Sequence, residues 1–194
     1  MASRPLRLQE LAEVLALDFD EAPEGIPKLN GGWRREDQEQ AVLSTCSSLI
    51  AVVYDDDVRV VQFSHFSVKE YLMSDRLAGT IGDAAFHHIL LEHAHTILAQ
   101  CCLGVLLRLD DSLTHSSLAK YAAEHWFDHA LFENVSSRVK EGIEKLFDLD
   151  KPHFSRWIRI HDIDRDMWGL EGDKTRLEAA PMYYMPLSVG SMMC

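Results

Sequence analysis

SLIAVVYDDDVRVVQFSH, residues 48–65, decides the fold. Two runs rich in β-branched residues flank Asp55, Asp56 and Asp57, and such residues favour the pleated, half-buried surface of a strand. The pattern predicts an antiparallel hairpin with the three aspartates at its tip. FSVKEYLMSDRLA (66–78) then restarts a helical period directly after the second strand.

Working upstream, Leu8, Leu11, Ala12 and Leu15 recur at helical spacing with Glu10 and Glu13 on the other face, which predicts a helix over about residues 8–17. DFDEAPEGIPKLNGG (18–32) contains two prolines and three glycines and reads as a loop. A second helix is expected over about 36–48, with Ala41, Val42, Thr45 and Cys46 on one side. Helix, loop, helix, hairpin, helix is the order of a winged-helix unit, expected over residues 1–80. Downstream, Phe86, Ile89, Leu90, His93, Ile97, Leu98, Cys101, Leu103 and Val105 predict a long helix over 83–109, with Gly82 and Gly104 as the points at which it would break. Further helices are expected at about 116–131, 134–147 and 152–160. The fold class is therefore mainly α, a winged-helix unit with one β-hairpin followed by an α-helical region over 81–165.

The chain has 194 residues, enough for one domain, or one small domain with an appendage. Its 47% hydrophobic and 26% charged residues are those of a folded, water-soluble polypeptide. Against 19 Lys+Arg stand 31 Asp+Glu, a net charge of −12. The acidity is spread along the chain, with 8 basic and 14 acidic side chains in residues 1–80. Winged helices often read DNA through the helix before the wing, but EDQEQAVLSTCSSL has no Lys or Arg, and none occurs between Glu36 and Val58. Nucleic-acid affinity is largely electrostatic, so a nucleic-acid-binding role is disfavoured.

The longest apolar stretch, residues 97–109, is interrupted by Gln100 and Arg108 and is too short to span a bilayer. The start, MASRPLRLQELAEVL, lacks the continuous apolar core of a signal peptide. Cys46, Cys101, Cys102 and Cys194 show no CxxC or framework spacing and read as reduced thiols, so a cytoplasmic location is expected. No phosphate-binding loop, GxGxxG, GxSxG or HExxH is present, so no enzyme activity and no cofactor is expected.

Few residues carry a pattern of chemical interest. His125 and His129 in HWFDH stand at i and i+4 with Asp128 beside them, a spacing used by metal ligands, and His87, His88, His93 and His95 form a second group. Two ligands do not make a site, and packed or solvated histidines are the favoured reading. Cys101 and Cys102 read as buried free thiols, and Trp33, Trp126, Trp157 and Trp168 as packing residues. Asp55, Asp56 and Asp57 read as a solvated turn rather than a cation site. His65 follows the second strand and precedes a helix, a junction where free N–H groups can face an anion. The plainer reading is a histidine that bonds locally and fixes the strand-to-helix turn.

RPLRLQELAEVLAL (4–17), VLSTCSSLIAVVYDDDVRVVQFSHFSVKEYLMS (42–74), HTILAQCCLGVLLRLD (95–110), LAKYAAEHWFDHA (118–130), LFD (146–148) and PHFSRWIRIHDID (152–164) occur in this order. The succession resembles the region between the NACHT NTPase and the ankyrin repeats of fungal STAND-type proteins, whose winged-helix part is of the kind described in GPI inositol-deacylase. FSHFSVKEYL and YAAEHWFDHA are its specific blocks. APMYYMPLSVG (180–190) is similar to the opening of a first ankyrin repeat, except that Met185 and Pro186 replace small residues, and an interior proline breaks a helix. Residues 166–194 are thus expected to be a linker and the start of a truncated ankyrin repeat.

The resemblance implies a non-catalytic signalling and scaffold module that couples the nucleotide state of an NTPase to an ankyrin-repeat sensor, in nonself recognition or programmed cell death. It implies that His65 touches the phosphate of ADP held by the NTPase, and only in that context. The implied partners are NACHT NTPase and ankyrin segments, in cis or in trans, with no nucleic acid and no membrane. The winged helix's first helix would lie before Met1, so the chain is expected to be either a fragment or a shortened relative. Such a module is expected to expose apolar surface and to self-associate.

Overall fold

A computed structural model describes residues 4–20, 25–46, 48–78, 87–109 and 116–161. The hairpin forms as expected: β3 (Ile50–Asp55) and β4 (Val58–Phe63) pair antiparallel from Ile50↔Phe63 to Asp55↔Val58. Asp56 and Asp57 make the two-residue turn with φ of 43° and 64°. Two left-handed residues match the right-handed twist of the strands, and aspartate is one of the few side chains that tolerates that backbone. The segment before α1 touches the edge of this two-stranded sheet. Arg7 makes an isolated antiparallel bridge to Val60, and the Val61 N–H donates to the Leu6 carbonyl at 2.9 Å, so residues 6–7 lie beside β4.

Helix α1 (Leu8–Val14) ends three residues before the expected limit. Leu17, which continues the helical pattern, instead enters a short strand β1 (Leu17–Asp18) that pairs with β2 (Lys28–Leu29). The segment expected as a plain loop is therefore closed at its base by one strand pair, Leu17↔Leu29 and Asp18↔Lys28. The charged face of α1 is also a correction: Glu10 is 1% exposed and packs inward. Its carboxylate accepts from the Arg7 N–H at 2.8 Å and from Arg4 Nη1 and Nη2 at 2.8 and 2.7 Å, which satisfies a charge that would otherwise be costly to bury.

Helix α2 (Gln38–Cys46) begins two residues later than expected because Asp37 caps it, accepting from the Gln40 N–H at 2.9 Å. After the hairpin come α3 (Phe66–Leu72) and α4 (Asp75–Ala78), separated at Met73 and Ser74. The Ser74 hydroxyl donates to the Tyr71 carbonyl at 2.7 Å, a local bond that competes with helix continuation.

The long downstream helix, α5, runs Leu91–Leu106 rather than from residue 83, and it passes through Gly104 without a break. It pairs with α6 (Ser117–Ala130), and α7 (Val135–Arg138), α8 (Lys140–Leu146) and α9 (His153–Ile160) pack around them. The helix expected over 134–147 is divided at Val139, whose φ of −112° and ψ of 11° leave the helical region. Residues 1–161 form one compact unit. Within it Leu17 shares a core with Leu103, Leu106, Leu118, Tyr121, Trp126 and Leu146, and Leu6, Val14 and Leu29 pack against that core. Burial of each such leucine contributes about 1.5–3 kcal/mol. The winged helix and the helical region are thus held by one continuous apolar interior. The expected linker and truncated ankyrin repeat lie outside the described residues.

Candidate functional site

The junction between β4 and α3 is set by His65. Its backbone is extended (φ −148°, ψ 144°) and its ring caps the helix, Nδ1 accepting from the Ser67 N–H at 3.2 Å, with the Ser67 hydroxyl 2.7 Å away. Because Nδ1 is the acceptor, the proton of the neutral ring resides on Nε2, leaving a donor on the far side of an exposed imidazole. Ser64 anchors the strand end, its N–H donating to the Leu49 carbonyl at 2.9 Å. Phe66 and Tyr71 of α3 are 69% and 50% exposed, and Tyr54 of the wing is 76% exposed. The local turn-fixing contact expected of His65 is present, and the ring remains accessible.

The helix before the wing carries no basic side chain into solvent. Glu36, Asp37, Glu39 and Arg59 line a shallow depression there, and Arg59 is paired with Glu39 at 3.1 Å. On the other side of α2, Trp33 lines a groove with Leu15, Arg34 and Thr45 and is 49% exposed, so of the two expected packing roles it lies between elements and not in the core. Trp126 is buried and Trp157 packs on it edge to face at 5.6 Å, with Phe147 and Phe154 completing an aromatic cluster that their sequence separation concealed. Trp168 lies outside the described residues.

His125 and His129 do not converge on a common point. His125 Nδ1 is 3.2 Å from an Asp128 carboxylate oxygen, whereas the two ring nitrogens of His129 meet His95 at 3.1 Å and Tyr121 at 2.8 Å. Among the described residues no group of three or more His, Cys, Asp or Glu side chains is arranged to hold a metal ion. Cys101 and Cys102 are buried and free, and burial pushes the Cys101 thiol up to about 12 and Cys102 higher than usual as well. Thiols so protonated are inert as nucleophiles at neutral pH. Among the described residues no helix is long and apolar enough to cross a membrane.

Sequence reasoning missed the seam between the winged helix and α6. Glu13 of α1 accepts from the Leu118 N–H at 3.0 Å and from the Ser116 hydroxyl, and pairs with Arg34 at 3.5 Å. A carboxylate from one part thus caps the first turn of a helix in the other, where free N–H groups and the helix dipole favour an anion. Gln9 accepts from the Ser117 hydroxyl at 3.2 Å beside it. The only signal in the sequence was two glutamates on an amphipathic helix, which ordinarily face water.

Residues 1–84 match the winged helix domain of GPI inositol-deacylase. The azaphilone pigments biosynthesis cluster protein L of Monascus ruber is 30% identical over 177 residues, covering 84% of this chain and 36% of its own length. The chain therefore spans little more than a third of that curated relative. No solved structure matches the chain.

Proposed function

We propose that this chain is a non-catalytic signalling and scaffold module of a fungal NACHT-ankyrin STAND protein, relaying the nucleotide state of an NTPase to an ankyrin-repeat sensor in nonself recognition or programmed cell death. The observation that carries the reading is His65: an exposed helix-capping imidazole whose Nδ1 is tied to Ser67, so that Nε2–H is presented to a partner. A neutral N–H donor at a helix start is suited to a phosphate oxygen of ADP bound by the NTPase. The match of residues 1–84 to a winged helix domain supports the same assignment. The shared core behind the wing supplies rigidity, since a displacement of the winged helix must move α5 and α6 or break their packing. In this reading the chain has no cofactor of its own and works in the cytoplasm through protein contacts, in cis or in trans.

The test is binding of the chain to a NACHT NTPase segment from the same genome, loaded with ADP or with a non-hydrolysable ATP analogue. The ADP form should bind at least tenfold more tightly, and His65→Ser, which keeps a side-chain acceptor for the helix start but removes the imidazole N–H, should remove that preference while leaving the far-ultraviolet circular dichroism of the chain unchanged. Equal binding of both forms by the unmodified chain would overturn the reading.

A further inference from the structure

Three buried side chains tie α5 to α6. Tyr121 Oη lies 2.8 Å from His129 Nε2, and His129 Nδ1 lies 3.1 Å from His95 Nδ1. Tyr121 and His129 are fully buried and His95 is 9% exposed. Phe132 stacks on His95 with centroids 4.1 Å apart and planes within 3° of parallel. The line continues to the winged helix through Arg4, whose guanidinium sits 5.0 Å from the centre of the Tyr121 ring while bonding Glu10.

With both imidazoles neutral, each hydrogen bond has one donor, running either from Tyr121 through His129 to His95 or in the reverse direction. One added proton on His129 keeps both bonds but places a full charge where no solvent reaches. A proton on each ring sets two N–H donors against each other across 3.1 Å.

Among the described residues, Asp128 favours a charge on His129, but less than burial and the neighbouring His95 oppose it. On α6, His125 is bonded to Asp128, whose side chain is 55% exposed, and Glu124 faces His125 and Lys120. On α5, Glu92 is paired at 2.7 Å with Arg138 of α7. From α1, Glu10 is committed to Arg4 and to the Arg7 N–H.

We propose that Tyr121, His129 and His95 form a proton-operated lock, which fastens α5, α6 and the Arg4–Glu10 corner of the winged helix together while the histidine pair is neutral and parts them when the pair takes up a proton. Burial, and next the proximity of His95, lower His129 to about 4, and burial lowers His95 as well. A histidine released to solvent titrates at about 6.5. Above that pH neither the closed nor the open form binds the extra proton, and the lock has its full strength. Between about 6.5 and 4 the open form binds protons that the closed form refuses, so each unit fall in pH multiplies the opening constant about tenfold for His129, and further for His95. Weakening thus begins in the mildly acidic range, well above the pH at which the closed pair itself protonates.

The test follows amide hydrogen exchange of the full chain from pH 7.5 to 5.0, corrected for the intrinsic rate, together with imidazole nuclear magnetic resonance. Protection of α5 and α6 should fall about tenfold or more per unit below pH 6.5, while the β3–β4 hairpin shows no such slope and the His129 ring stays neutral to about pH 4 in the closed form. In the double variant His95→Phe with His129→Gln the stack on Phe132 and an acceptor for Tyr121 are kept, and the acid slope should vanish. An unchanged slope in that variant overturns the proposal. Should the variant fail to fold, the unmodified chain decides: His95 and His129 titrating near 6.5 without loss of α5–α6 protection overturns it equally.

Discussion

Gly104 shows what a single residue can mean in two opposite ways. In the sequence it marks a place for α5 to break, yet the helix runs through it, because what the glycine supplies is space rather than freedom. A Cβ there would stand 2.6 Å from the Pro27 carbonyl oxygen, the same oxygen that accepts from Arg108 Nη1 at 2.6 Å. Backbone cannot yield as a flexible side chain would. Gly104→Ala gains about 1 kcal/mol in helix propensity but overpacks the contact by about 1–3 kcal/mol. The expected outcome is a lower midpoint in urea denaturation, where helix propensity alone predicts a higher one.

At the scale of elements, periodicity located the helices and failed at their ends. Leu17 keeps the spacing of α1 but leaves it, since a partner strand at Leu29 offers its backbone bonds while its side chain reaches the α5–α6 core. Such a choice depends on a residue twelve positions away and leaves no local trace. The start of α6 is likewise shared between Ser116, whose hydroxyl accepts from the Ala119 N–H at 3.2 Å, and Glu13 from α1. Glu13→Ala should therefore act on α6 as well as α1. It removes a charged acceptor from the helix start, a loss of about 1–2 kcal/mol, and the check is faster amide exchange at Leu118 with the hairpin unaffected.

For the whole molecule, apolar exposure and charge pull in opposite directions. Leu149, Tyr54, Phe66, Leu131 and Leu90 are each more than half exposed, which favours association, whereas a net charge of −12 opposes the approach of two copies. Added salt screens the repulsion and leaves the apolar term intact. Light scattering should accordingly show molar mass rising with protein concentration, and more steeply at 0.5 M than at 0.05 M NaCl. A monomer at all concentrations and both salt levels would show that the exposed side chains are too dispersed to form an interface.

The mainly α class, the hairpin with its aspartate tip, the helix order and the local turn-fixing place of His65 were all legible in the order of residues. Each rests on neighbours within a few residues, where period, β-branching and capping chemistry operate. Long-range packing decided that Glu10 and Glu13 face inward, that Arg7 bridges Val60, that Trp33 is half exposed, and that His129 meets His95 and Tyr121 rather than His125. These outcomes depend on which surfaces meet across α1, α5 and α6, and a burial that pairs groups 34 positions apart has no signature in local spacing.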